Sequence, residues 1–346
     1  MASSLNGIQN PENGGESSKS TSVGAVDHSI YEHAINSTNW IFNVGYLHQD
    51  WADVHLTFFQ SGLKAHRIIL ARSPYLSNIM RNVVPGSTIH LNFADENITQ
   101  ESVHIALQHL YNPSHNLATP TNAKSILATA YLLGGMTELV HHSYEIIRSS
   151  IGAENIIETI QWLSQPGDIL SNGFRNGNGN GASTPSGHSQ VSTSTTTRES
   201  WVGDESENRY GDWTAKLKKD LNEYLLHRLP EQFSTSNQTL TQSSEIISIF
   251  SKLPYELFKS TLESKELPIT SMQERFSFTK KIIAQRKKQS QLNSSSTPGA
   301  AAGTGTGMGT GMEESVVLAF KGGDQGMEIH ISRKPKKSRQ LWKVES

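Results

Sequence analysis

The chain has 346 residues, 35% of them hydrophobic and 18% charged, with 30 basic and 32 acidic side chains for a net charge of −2. This near-neutral balance argues against a protein that coats nucleic acid along its whole length. The absence of cysteine excludes disulfide frameworks, thiol nucleophiles, iron–sulfur clusters and cysteine-ligated zinc. Residues 1–27 are rich in Ser, Asn and Gly with few large apolar side chains, so they bury too little to offset their conformational entropy and are expected to be disordered. Met1–Leu5 has neither a basic region nor an apolar stretch, so no signal peptide is expected. With no apolar run near the roughly 20 residues of a bilayer span, the expected location is nucleus or cytoplasm, with no membrane partner.

The first ordered block is expected over 28–168. Apolar residues at Ile30, Ala34, Ile35, Ile41 and Phe42 have helical spacing. Val54, Leu56 and Phe58 alternate as in a half-buried strand. Ser61-Gly62 reads as the turn, and Leu63–His66 as the returning strand. Ile68–Leu70 opens a buried helical segment. Ser73-Pro74 then supplies an N-cap and a first-turn proline for a helix that Pro85-Gly86 ends. Thr88–Asn92 alternates as a third strand. Thr99–Leu110, Thr121–Leu133, Thr137–Ser149 and Ala153–Leu163 read as helices, with Gly134-Gly135 as a C-cap. Strands early and helices late predict an α+β unit, a small sheet capped by a helical cluster.

Asp53-Val54-His55-Leu56, then Leu63-Lys64-Ala65-His66-Arg67-Ile68-Ile69-Leu70-Ala71-Arg72-Ser73-Pro74-Tyr75-Leu76, resembles the signature of the BTB/POZ domain. Ala106–Tyr111 resembles that family's Leu-x-x-Leu-Tyr helix. The resemblance implies an interaction module without catalysis or cofactor that self-associates, as a homodimer or with another BTB protein, through its N-terminal helix and first strand. In dimeric members an Asp and a basic residue line a charged pocket at the interface; here they are Asp53 and Arg67. A buried charge is tolerated only when partnered. The alternative is an intrachain pair holding strand to helix. His66, closing a strand beside an apolar helix, reads as a satisfied core histidine. The family's cullin contact uses an apolar-x-Glu motif. The matching stretch, 79–87, offers Ile79, Met80 and Val83 but no Glu, which weakens the reading of a ubiquitin-ligase adaptor.

Residues 169–204 are expected to be a disordered linker: 20 of the 27 residues in 171–197 are Gly, Asn, Ser or Thr. Residues 205–289 read as helical. Leu253–Phe258, Leu262–Leu267 and Glu274–Phe278 resemble the BACK-like region that often follows a BTB domain, and the whole resembles germ-cell-less-type and fungal BTB proteins. Residues 290–312 read as a low-complexity linker. Its Gly-Thr-Gly run lacks the Gly-Lys-Ser/Thr ending of a phosphate loop.

In 313–346, Val316, Leu318 and Phe320 alternate, Gly322–Gly326 turns, and Met327, Ile329 and Ile331 alternate back. A lone hairpin is marginal in water, so this one must dock, on the second helical block. Arg333, Lys334, Lys336, Lys337 and Arg339 form a basic cluster that suits nuclear import, a solvated tail or, least of all, nucleic acid. Leu341–Val344 reads as a packing tail. Residues 272–346 carry a net +7 against −9 for 1–271, which suits a C-terminal end that meets a negative surface. No metalloprotease histidine spacing, nucleophile elbow or glycosidase-like carboxylate pair is present, so neither metal nor enzyme chemistry is expected. The function expected is recruitment of a protein client, as a cullin adaptor or as a nuclear scaffold or regulator.

Overall fold

The computed structural model describes residues 28–165, 208–234, 240–269, 271–295, 312–320 and 327–335. The segments 1–27 and 169–204, most of 290–312, Lys336–Arg339 and Leu341–Val344 lie outside the described residues.

α1 (His28–Trp40) runs into a π-helical segment, Ile41–Leu47. β1 (Val54–Phe58) buries the three residues whose alternation predicts it. It sits between β2 (Ser61–Ala65) and β3 (Thr88–Leu91) in the order β2-β1-β3. β2 is antiparallel, with Leu56 opposite Leu63; β3 is parallel, with Leu56 opposite Ile89. The hairpin turn is Phe59-Gln60, not Ser61-Gly62, which instead pairs with Phe58 and Thr57. Gly62 lies within β2 rather than at the turn, with a Cβ position 2.9 Å from the movable end of the His55 side chain. The turn is made by Phe59 itself, at φ +51°.

α2 (Arg67–Leu70) buries Leu70, whereas Ile68 is 82% exposed, so this segment is amphipathic rather than buried. α3 (Pro74–Met80) begins as expected, with Ser73 Oγ accepting from Leu76 N–H. It ends at Met80, ahead of Pro85-Gly86; Gly86 N–H instead donates to Asp53 O at 2.7 Å. α4 (Gln100–Tyr111) opens with a capping box between Thr99 and Ser102. α5 (Ala123–Leu133), α6 (Thr137–Ser149) and α7 (Ile156–Leu163) complete this unit. Gly134-Gly135, both at positive φ, end α5; a Cβ on Gly135 would meet Arg72 O at 2.1 Å. Phe58, Leu56, Leu76, Leu107, Leu127 and Leu133 are fully enclosed between sheet and helices.

The second block is helical, as expected. It comprises α8 (Asp212–Glu223), a π-helical turn, Tyr224–Arg228, and α9 (Leu229–Ser234), then α10 (Ser244–Lys252), α11 (Tyr255–Glu263) and α12 (Met272–Ser295). α12 continues past residue 289, because no Gly or Pro interrupts it before Pro298. Phe250, Phe258 and Phe278 fill its core. β4 (Met312–Phe320) and β5 (Met327–Pro335) form the expected antiparallel hairpin, with Val316 opposite Ile331.

Candidate interaction surfaces

Asp53 and Arg67 do not form a buried ion pair. Asp53 is exposed, and its carboxylate accepts the Arg67 backbone N–H at 2.8 Å, capping α2. The Arg67 guanidinium turns away and donates to Val83 O (2.9 Å) and Met80 O (2.6 Å), closing the C-terminal end of α3. Each polar group has a partner, but through backbone rather than each other. That corrects the charge-pairing argument; the two residues link strand, α2 and α3 within one chain.

His66 is fully partnered, as expected, but half-buried at the edge of the core rather than within it. Its Nε2 lies 2.7 Å from Asp50 O, and because a carbonyl only accepts, Nε2 carries the proton. Its Nδ1 lies 3.0 Å from the Tyr111 hydroxyl, which also accepts the His66 backbone N–H at 2.9 Å. Burial pushes the Tyr111 phenol up to about 12.

Of the predicted cullin-contact residues, Met80 points into the core and is 5% exposed, so it cannot meet a partner. Ile79 and Val83 are half-buried against that core. The apolar side chains presented to solvent nearby are Ile68 and Val84, the latter 72% exposed. Composition cannot show this, since helix phase in α2 and α3, and the course of the backbone after Met80, decide which apolar residue faces out.

α1 carries Ile30, Tyr31, Ile35 and Trp40 exposed and has no buried residue. It continues directly into the π-helical segment, which packs on α4. Phe42 stacks on Tyr46, and Tyr46 packs tilted against Tyr111 at 5.2 Å. The Tyr46 hydroxyl donates to His104 O at 3.2 Å, and burial pushes that phenol up to about 12.

A buried polar cluster joins the first block to the second. Arg209 lies 2.6 Å from Asp95, with side-chain exposures of 8% and 1%. Tyr210 donates to Asp95 Oδ2 at 2.9 Å, Asn97 donates to Tyr210, and Arg209 also donates to Gln165 at 2.6 Å. Trp162 stacks on Tyr210. Sequence reasoning missed this site, because its members lie more than 100 residues apart and share no motif.

The hairpin docks on α11 and α12, as expected. Ile329 and Ile331 are buried. Arg286 holds Glu314 with two bonds, at 2.7 and 3.0 Å. Ile331 N–H donates to Glu263 at 2.7 Å, and Tyr255 donates to Ile331 O at 3.3 Å. In the basic cluster, Arg333 and Lys334 are both exposed, and Arg333 lies 4.0 Å from Glu314 and over the Tyr255 ring. Among the described residues, no group of three or more His, Asp or Glu side chains is arranged to hold a metal ion, and no helix is long and apolar enough to cross a membrane.

The three-stranded sheet capped by helices is the α+β architecture the sequence resemblance implies; the parallel outer strand and the uncovered leading helix are added by the structure. Residues 42–151 match the family model of the BTB/POZ domain, a protein-interaction fold. Over 324 residues the chain is 24% identical to BTB/POZ domain-containing protein 2 of Schizosaccharomyces pombe, spanning 92% of this chain and 95% of that protein. The likeness therefore extends well beyond residues 42–151, into the second helical block.

Proposed function

We propose that this chain is a non-enzymatic interaction module that self-associates through α1 and recruits a protein client with its helical, BACK-like block and hairpin. The observation that carries the reading is α1. A 13-residue helix is marginal alone in water, and this one buries nothing while exposing Ile30, Tyr31 and Ile35. BTB domains commonly self-associate, which supports a second BTB domain as the cover. Ile30→Asp with Ile35→Asp should halve the mass measured by light scattering of the full chain. A mass equal to wild type in that variant removes α1 from the interface.

A cullin-type ligase scaffold is the partner class supported by the exposed Ile68 and Val84 beside half-buried Ile79 and Val83. Purification of the tagged chain from its own cells tests this. Stoichiometric cullin, lost with Val84→Asp, supports adaptor function. Nuclear proteins without a cullin favour the scaffold reading, with import through the basic cluster that begins at Arg333 and exposed Lys334.

A further inference from the structure

We propose that Trp40 and Trp51 together form the anchor of the self-association surface, each pair packing against a second copy of this chain. The inference rests on the self-association reading and names the side chains that would carry most of its energy.

The two indoles stack at 6.0 Å with an interplanar angle of 27°. They are 57% and 75% exposed, and Leu47 beside them in sequence is exposed too. Single exposed apolar residues are ordinary, but a paired tryptophan platform is the composition of an interface centre. Trp40 ends α1 and Trp51 lies just before β1, so the pair bridges the uncovered helix to the sheet.

The backbone that presents Trp51 is costly and held on purpose. Trp51 sits at φ +58° and Gln49 at φ +59°, in the left-handed region that bulky L-residues avoid. Such outliers persist only where the surroundings over-determine them. Here three contacts do so. His66 Nε2–H donates to Asp50 O, Asp50 N–H donates to Val44 O at 3.1 Å, and Gln49 Oε1 accepts the Lys64 N–H on β2 at 3.1 Å. These bonds fix residues 49 and 50 and leave the Trp51 ring facing solvent. The ring contact it makes is its stack on Trp40, which is itself more than half exposed.

Charge points to a second copy as the occupant. Residues 34–47, which carry Trp40, contain no Asp, Glu, Lys, Arg or His, whereas Trp51 lies outside this run, flanked in sequence by exposed Asp50 and Asp53. In a two-fold interface each patch meets itself, so a charged patch would oppose like charge, and an uncharged one meets its copy without repulsion. The aromatic-rich, charge-free character of this stretch matches what interface centres require.

The test uses the full chain in sedimentation equilibrium, with thermal unfolding of the diluted monomer. Trp51→Gly relieves the left-handed strain, because glycine has no Cβ to clash. Its monomer should melt at or above the wild-type temperature, while self-association weakens about tenfold or more. Trp40→Ala should weaken association to a similar degree. Wild-type tryptophan emission should shift to the blue as concentration rises, and Trp51→Gly should lose that shift. If both tryptophan variants associate like wild type while Ile30→Asp/Ile35→Asp is monomeric, the anchor is overturned and the α1 reading stands. If all variants associate like wild type, or wild type stays monomeric, both are overturned. A Trp51→Gly monomer that melts well below wild type would make Trp51 a folding residue and would also overturn the anchor.

Discussion

The His109 ring is buried near the end of α4, its Nδ1 has no hydrogen-bond partner, and it stands in a column with His115 and His142 at ring separations of 5.3 and 4.8 Å. Burial lowers the pKa of His109, and neighbouring His115 and Arg72 act in the same direction, against Glu138 and a backbone hydrogen bond at Ser114. Burial lowers His115 likewise, assisted by His142. Both histidines therefore bind fewer protons folded than unfolded below about pH 6.5, so stability is complete above that pH and falls as pH drops through the lowered values. Urea midpoints at pH 7.5 and 5.5 should show this loss, and His109→Leu should flatten it. A variant with an undiminished slope would place the pH sensitivity elsewhere. The sequence shows three histidines near one another only after folding, because residues 109, 115 and 142 come from α4, a loop and α6.

At the scale of elements, the hairpin depends on α11 and α12 for more than apolar cover. Glu314 and Arg286 are mostly buried, and Arg286 also donates to Ser251 O and Leu253 O. Glu314→Ala leaves that guanidinium buried without its carboxylate, and removing one member of a buried pair costs on the order of 3–5 kcal/mol. Part of the charge here still reaches backbone carbonyls, so the lower end is expected. Amide exchange at Ile329 and Ile331 should accelerate in that variant while the β1 amides exchange as before. Unchanged protection at Ile331 would mean that its bond to Glu263 and the apolar face suffice. The docking was legible in advance because a two-stranded hairpin cannot stand alone, whereas the residue that clasps it was not. Arg286 reads in the sequence as one of several basic residues on α12, and only helix phase distinguishes it from exposed Lys287 and Lys288.

Across the whole molecule, the Asp95–Arg209–Tyr210 cluster binds the two helical blocks to each other, and the Tyr144–Asp220 bond at 2.7 Å adds a second tie between α6 and α8. The blocks are thus packed together rather than strung on a tether. A protease site placed at Asn180 should be cleavable while the two fragments still co-elute on gel filtration. Adding Asp95→Ala, which strands Arg209 in the interior, should let them separate. Fragments that part without that substitution would show that chain connectivity, not the cluster, holds the blocks.

The sequence by itself determined the local elements. Alternation made Val54, Leu56 and Phe58 a strand, Ser73-Pro74 and Thr99 opened helices, Gly134-Gly135 closed one, and the ordered run from Asp53 to Leu76 carried the family likeness. Each of these depends on neighbours within a turn or a pleat, whose energetics act at short range along the chain. Tertiary structure alone decided which partners the polar groups take and which apolar side chains face out. It sent the Arg67 guanidinium to carbonyls at the end of α3, buried Met80 while exposing Ile68 and Val84, and paired Asp95 with a residue 114 positions away. Those outcomes depend on desolvation and on distances between elements, which are set only once the core has formed.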